Sequence, residues 1–157
     1  MPPSTVTIRA ARPDDAARLL ELIAHGRVGA DGDAAPPGGD EVAGARAALV
    51  EIAADPTPSI VLVAEVDGAV VGTCQVIVFR HIQHAGGWCA EIESMHVHPD
   101  QRGSGIGGLL IEAACEHAAA ARCYRVQLTS NVARPDAHRF YERHGFTRSH
   151  VGFKRLL

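Results

Sequence analysis

Two apolar, β-branched runs, Ser59 to Val66 and Ala69 to Phe79, are separated only by Asp67-Gly68. That pair tolerates the positive φ angles of a two-residue hairpin turn, so the runs are expected to be antiparallel neighbours in one sheet. Upstream, Thr5 to Arg9 reads as a short strand. Pro13-Asp14-Asp15 then opens a helix in which Ala16, Leu19, Leu20 and Ile23 recur at helical spacing. The Gly-, Ala-, Pro- and Asp-rich stretch from Gly26 to Gly39 predicts an exposed loop, followed by a second helix over Asp40 to Ala54.

Downstream, a loop over His81 to Gly87 leads into a third central strand, Cys89 to Val97, which His98-Pro99-Asp100 ends. Ile106, Leu109, Leu110, Ala113, His117 and Ala120 mark the buried face of a helix running to Ala121. Tyr124 to Thr129 reads as another strand. Pro135 sits in the first turn of a helix through Phe140 and Tyr141, and Gly145 caps it before a final strand from Phe146. No internal repeat or long linker interrupts the 157 residues, so residues 1–157 are expected to form one domain. The elements amount to an α/β (α+β) fold with a mixed, mostly antiparallel sheet flanked by helices.

A formal net charge of -3 disfavours nucleic acid as a partner, since a phosphate binder needs a basic surplus. Met1 to Ala10 lacks the basic and apolar regions of a signal peptide, and no apolar run approaches bilayer length, so a cytoplasmic protein without membrane contact is expected. Cys74, Cys89, Cys115 and Cys123 show no C-x-x-C spacing and read as free thiols acting as small hydrophobes. A homodimer stays open.

The segment with most chemical content is Arg102-Gly103-Ser104-Gly105-Ile106-Gly107-Gly108, between a strand and a helix. Amides there point outward unpaired and the helix dipole favours an anion, so the segment suits a phosphate group. Side chains in place of the glycines would hold the phosphates off, and Arg102 can add charge-assisted bonds. The plainer reading is a glycine-rich turn with no ligand. Gly103, Gly105 and Gly108 also satisfy G-x-G-x-x-G, but the following strand ends in Thr129-Ser130-Asn131 rather than in an acidic residue, which removes the dinucleotide reading. The absence of Gly-Lys-Ser/Thr removes a nucleoside-triphosphate loop. His96-x-His98 and His81-x-x-His84 form no complete ligand set, so no metal is expected. Ser94, Ser104 and Ser130 lack the elbow sequence of a hydrolase nucleophile.

Val97-His98-Pro99-Asp100-Gln101-Arg102-Gly103-Ser104-Gly105-Ile106-Gly107 resembles the acetyl-CoA-binding motif R/Q-x-x-G-x-G/A of the GNAT family of N-acetyltransferases, with Arg102, Gly105 and Gly107 at its fixed positions. Ala137-His138-Arg139-Phe140-Tyr141-Glu142-Arg143-His144-Gly145-Phe146 resembles that family's second signature, A-x-x-F-Y-E-x-x-G-F. Glu91-Ile92-Glu93-Ser94 and Cys123-Tyr124-Arg125-Val126 are further similar to the glucosamine-6-phosphate N-acetyltransferase branch. Asn131 stands farther from Ala137 than the family's Asn usually does.

The resemblance implies the acyl-CoA N-acyltransferase fold, acetyl-CoA as co-substrate without a metal, and transfer of acetyl to a primary amine of a small molecule or peptide. It places the cofactor against Met95, Val97, Arg102, Gly103, Ser104, Gly105, Ile106, Gly107, Gly108 and Asn131. By the same likeness Glu93 is the base, with Glu91 and His96 as lesser candidates, and Tyr141 protonates the departing thiolate, with a strand amide such as Val97's meeting the carbonyl oxygen. The plainer readings are a paired strand carboxylate for Glu93 and core packing for Tyr141. The acceptor would be chosen by Gly26 to Asp40 and His81 to Gly87, where Asp31, Asp33, Asp40 and Glu41 would attract a cation or merely form a solvated acidic loop. A competing class is a non-catalytic acetyl-CoA-binding sensor or interaction module.

Overall fold

The computed structural model describes residues 5–26 and 35–157. Five strands form one sheet in the order β1-β2-β3-β4-β5: Val6–Ala10, Ile60–Val66, Ala69–Arg80, Trp88–Val97 and Cys123–Leu128. The first three pairings are antiparallel and β4–β5 is parallel. Asp67 (φ 49) and Gly68 (φ 82) make the expected tight turn between β2 and β3. The helices are α1 (Ala16–His25), α2 (Gly39–Ala54), α3 (Ile106–Ala120) and α4 (Pro135–Arg143). Pro13–Asp15 is a short 3-10 turn leading into α1. Most of the expected Gly26 to Gly39 loop, with Asp31 and Asp33, lies outside the described residues.

Alternation along the strands sorts side chains between two cores. Leu62 and Ala64 join Cys74, Val76 and Ile92 beneath α3, where Ile106, Leu110, Ile111 and Ala114 are buried. Val63 and Val70 face the other way and meet Ala16, Leu19, Leu22 and Leu49 of α1 and α2. With both faces covered, the central strands read as nearly continuous apolar runs. Full burial of a side chain such as Leu22 or Ile111 contributes about 1.5–3 kcal/mol. Arg9 ties the first elements together: its guanidinium lies 2.8 Å from Asp15 and 2.8 Å from Glu65 on β2. The Arg9 bond holds the Asp15 carboxyl below its ordinary range.

Three expectations need correction. The buried stripe of α3 is Ile106, Leu110, Ile111, Ala114 and Ala118, whereas Leu109 is exposed. The helix is apolar on most of its circumference, so more than one stripe fits the sequence, and contact with β2–β4 selects this one. Within the expected His81 to Gly87 loop a short helical turn, Gln83–Gly86, forms, with His84 and Ala85 in left-handed backbone. The His84 ring stacks on Tyr124 at 4.1 Å. Finally, no strand forms from Phe146. Gly145 does take the left-handed cap (φ 84) and the Phe146 amide donates to Tyr141 O, but residues 146–157 make no ladder with β5. A cleft of about 770 Å³ lies between them and Arg125–Thr129, and the sheet ends at β5.

All four cysteines are free thiols, and burial pushes Cys74 up to about 12. No helix among the described residues is long and apolar enough to cross a membrane.

Candidate active site

β4 and β5 pair only from Trp88↔Cys123 to Ile92↔Leu128. Beyond Ile92, β4 continues to Val97 against β3 alone, so its β5-facing edge is open. The His98 amide donates to Val71 O at 2.8 Å on the β3 side. Strand alternation then turns the main-chain groups of Val97 and Met95 toward the open edge. The ladder shifts register between Thr73 and Gln75, and the extra β4 residue is Ser94, held at φ 50. This bulge puts Glu93, Ser94 and His96 on the α1/α2 face of the sheet, and Met95 and Val97 on the α3 face beside the larger core.

At the end of β4, Pro99–Gln101 makes one 3-10 turn into the glycine segment. Arg102 N bonds Pro99 O and Leu109 N bonds Gly105 O, but the amides from Gly103 to Gly108 have no acceptor in the chain. An ordinary helix start leaves four such donors; this one adds the preceding loop. Gly103 (φ 79) and Gly105 (φ 88) bend the backbone, and a Cβ built on either meets nothing within 4 Å, so the space beside them is open. A row of free amides at the start of a long helix fits a diphosphate.

Gly107 and Gly108 have a second reason to be glycine. A Cβ at Gly107 would stand 3.2 Å from Phe140 Cζ, and one at Gly108 would stand 3.1 Å from His144 Cε1, so α4 packs directly on the backbone of α3. Arg102 donates from Nε to Val97 O (3.2 Å) and from Nη2 to His25 O (3.5 Å), bracing the ends of β4 and α1. Ser104 Oγ donates to Gln101 O within the loop. Asn131 is exposed, and its Oδ1 accepts from Ala133 N at 2.9 Å inside its own turn.

The α4 packing fixes Tyr141, whose ring meets Phe140 and Phe146 edge-on. Its hydroxyl makes no hydrogen bond to the chain. Burial raises the phenol above its ordinary value, Arg134 opposes this, and the charges of Cys74 and Glu93 add to it. Glu91 is committed elsewhere, accepting from Gln127 Nε2 at 3.0 Å. The His96 imidazole is pressed on the end of α1, where a Cβ at Gly26 would stand only 1.8 Å from Nδ1. Burial, then the charges of Arg134 and Arg102, lower His96 to about 4, so it is neutral at physiological pH. Among the described residues no group of three or more His, Cys, Asp and Glu could hold a metal.

Two residues not singled out in the sequence also belong here. Arg134, at the N-cap of α4, acts on both His96 and Tyr141. Gln75 stands opposite Glu93 in the β3–β4 pair. An amide in the otherwise apolar Val-Ile-Val run of β3 was the available signal for Gln75; the sequence offers none for Arg134.

The acetyltransferase (GNAT) family model matches residues 32–146. An aminoalkylphosphonate N-acetyltransferase of Salmonella typhimurium is 40% identical over 91 residues, 58% of this chain and 58% of that protein. A glucosamine 6-phosphate N-acetyltransferase of Trypanosoma brucei brucei is 34% identical over 89 residues, 57% of this chain and 58% of that protein. The chain thus spans less than two thirds of the length of these curated relatives. A crystal structure from Bacillus halodurans, described as a transcriptional regulator, superposes with a TM-score of 0.85 at 34% identity, covering 98% of this chain and 100% of that one.

Proposed function

Because the chain belongs to the GNAT acetyltransferase family, whose co-substrate is acetyl-CoA, we propose that it transfers an acetyl group from that thioester directly to the primary amine of a small molecule. The observation that carries this reading is the run of acceptor-free amides from Gly103 to Gly108, at the foot of a strand edge left open by the β4–β5 splay. Two relatives named for small amines that carry a phosphonate or a phosphate support a small, anionic amine as acceptor.

The Gly103–Gly108 amides hold the donor's diphosphate, with Arg102, Ser104 and Ile106 shaping that seat. Met95 and Val97 present main-chain groups to the pantetheine arm. Asn131, beyond the end of β5, is a further contact to the donor in this reading. The donor itself supplies an acetyl carbon activated as a thioester. Holding donor and amine together removes several kcal/mol of the barrier, roughly 7 or more in ideal intramolecular cases. Glu93 takes the proton that the amine loses as its nitrogen bonds the acyl carbon. The Val97 amide, aimed into the opening, meets the charge that grows on the carbonyl oxygen. The carbon–sulfur bond then breaks, and Tyr141, protonated at neutral pH, gives its proton to the departing thiolate.

One observation favours a second reading. The Bacillus halodurans structure is described as a transcriptional regulator, so a sensor that binds acetyl-CoA without turnover is the alternative. Thiol release from acetyl-CoA against a panel of aminoalkylphosphonates, aminosugar phosphates, polyamines and peptides separates the two, with calorimetry of CoA binding run beside it. Turnover with a small amine is expected. Binding without thiol release selects the sensor, and an absence of binding heat refutes both readings.

A further inference from the structure

A trough of about 190 Å³ opens between α1 and α2, on the face of the sheet opposite α3. Leu19, Leu20, Ile23, Ala48, Leu49 and Ile52 wall it, and its floor holds Thr73, Gln75 and Ser94. Thr73 spends its hydroxyl on Leu62 O, at 3.0 Å. The Gln75 amide and the Ser94 hydroxyl, by contrast, bond nothing in the chain. The Glu93 carboxylate shares their face, because Gln75 and Glu93 are directly paired across the ladder and the bulge keeps Ser94 on the same side. Ser94 is also the residue before Met95, where the open edge of β4 presents its main chain. A dry-walled trough thus ends in the unpaired polar groups of Gln75 and Ser94, with the Glu93 carboxylate next to Gln75 on the same face of the sheet, beside the edge where the thioester is to lie.

We infer that this trough is the acceptor site, that its occupant is a primary amine on a straight alkyl chain, and that Gln75 and Ser94 position the amine. The inference rests on the transfer reading above and names its substrate class. Apolar walls exclude a highly hydroxylated body, while the amide and hydroxyl acceptors of Gln75 and Ser94 at the floor, with the Glu93 carboxylate beside Gln75, select an ammonium head. The size sets the length, because a cavity of about 150 Å³ takes benzene, so this trough takes on the order of six to eight non-hydrogen atoms. An anionic group at the far end of such a chain would sit at the solvent mouth between the helices.

The test uses straight-chain primary amines from ethylamine to octylamine with three proteins: wild type, Ala48→Phe and Gln75→Leu. Ala48 is an exposed residue on the rim, so a ring there fills the trough without entering the core. For wild type, kcat/KM should climb with chain length and level off near the length that fills the trough. Ala48→Phe should shorten that plateau by three or more carbons. Gln75→Leu should raise the amine KM about tenfold or more with kcat changed less, and both variants should keep wild-type CoA affinity and melting temperature. Amine binding by NMR shift perturbation is read on the same proteins, so the trough is judged even if nothing is acetylated. Perturbations at Leu20, Ser94 and Gln75 that Ala48→Phe removes support the site, although absent turnover would then sink the transfer reading alone. A chain-length profile or amine binding that Ala48→Phe leaves unchanged overturns the trough assignment, as does an absence of amine binding to wild type.

Discussion

Gly105 and Gly68 allow the donor seat to be tested with its own internal control. Both have positive φ, 88 and 82, and a Cβ built on either meets nothing within 4 Å. Replacement by Ala therefore adds no steric contact at either site, and what remains is left-handed backbone strain, about 1–2 kcal/mol for a residue with a Cβ. For a domain of this size each kcal/mol lowers Tm by roughly 2–4 °C, so both variants should melt about 2–8 °C below wild type. They part on ligand binding. Gly68 sits in the β2–β3 turn, whereas Gly105 lies within the run of free amides, and relief of strain there would turn those amides aside. Calorimetry with CoA should show at least a tenfold weaker Kd for Gly105→Ala, about 1.4 kcal/mol, and an unchanged Kd for Gly68→Ala. Equal affinity in the two proteins would refute the placing of the diphosphate on this loop, whatever their melting temperatures.

Tyr141→Phe should lower kcat by about one to three orders of magnitude while the CoA Kd stays near wild type, measured by thiol release and calorimetry; unchanged turnover would return the ring to a packing role. His96 is depressed from 6.5 to about 4 in the folded chain, so the unfolded chain binds more protons between those values and stability must fall as pH drops through that window. The loss attributable to His96 is on the order of 2 kcal/mol after allowance for solvent screening, and urea midpoints at pH 7 and pH 5 should differ less for His96→Gln than for wild type. Gly26→Ala should destabilise by about 1–3 kcal/mol in thermal melts, because its methyl would overlap the His96 ring; a neutral result would mean that the end of α1 yields freely.

Local chemistry made the hairpin and most element boundaries readable. Asp67-Gly68 needs nothing beyond its own backbone preferences to fix the turn, and Pro135 and Gly145 bracket α4 for similar reasons. The missed features depend on surroundings. Leu109 and Ile111 are equally apolar, and only the sheet beneath α3 decides which is buried. Ser94 takes positive φ without any glycine to announce it, since the strain is imposed by a ladder that binds β4 on both sides of the bulge. Phe146 follows the Gly145 cap where a new strand would start, yet a strand needs a paired neighbour, which sequence does not report. For Gly107 and Gly108, phosphate binding and helix contact demand the same residue, so composition could not separate them. The glycine loop and Tyr141 were read through two motifs and Glu93 through the shorter likeness of Glu91-Ile92-Glu93-Ser94; Gln75 and Arg134 enter only through the fold.

The contact of Phe140 with the bare backbone at Gly107 has a consequence for how such a protein diversifies. A methyl group added there would shove aside the ring next to Tyr141 and tilt the helix that the following glycine also touches. On the proposed mechanism, grip on the donor and delivery of the proton would deteriorate in one step, so lineages selected for a new acyl donor should leave this position alone and vary the residues around it.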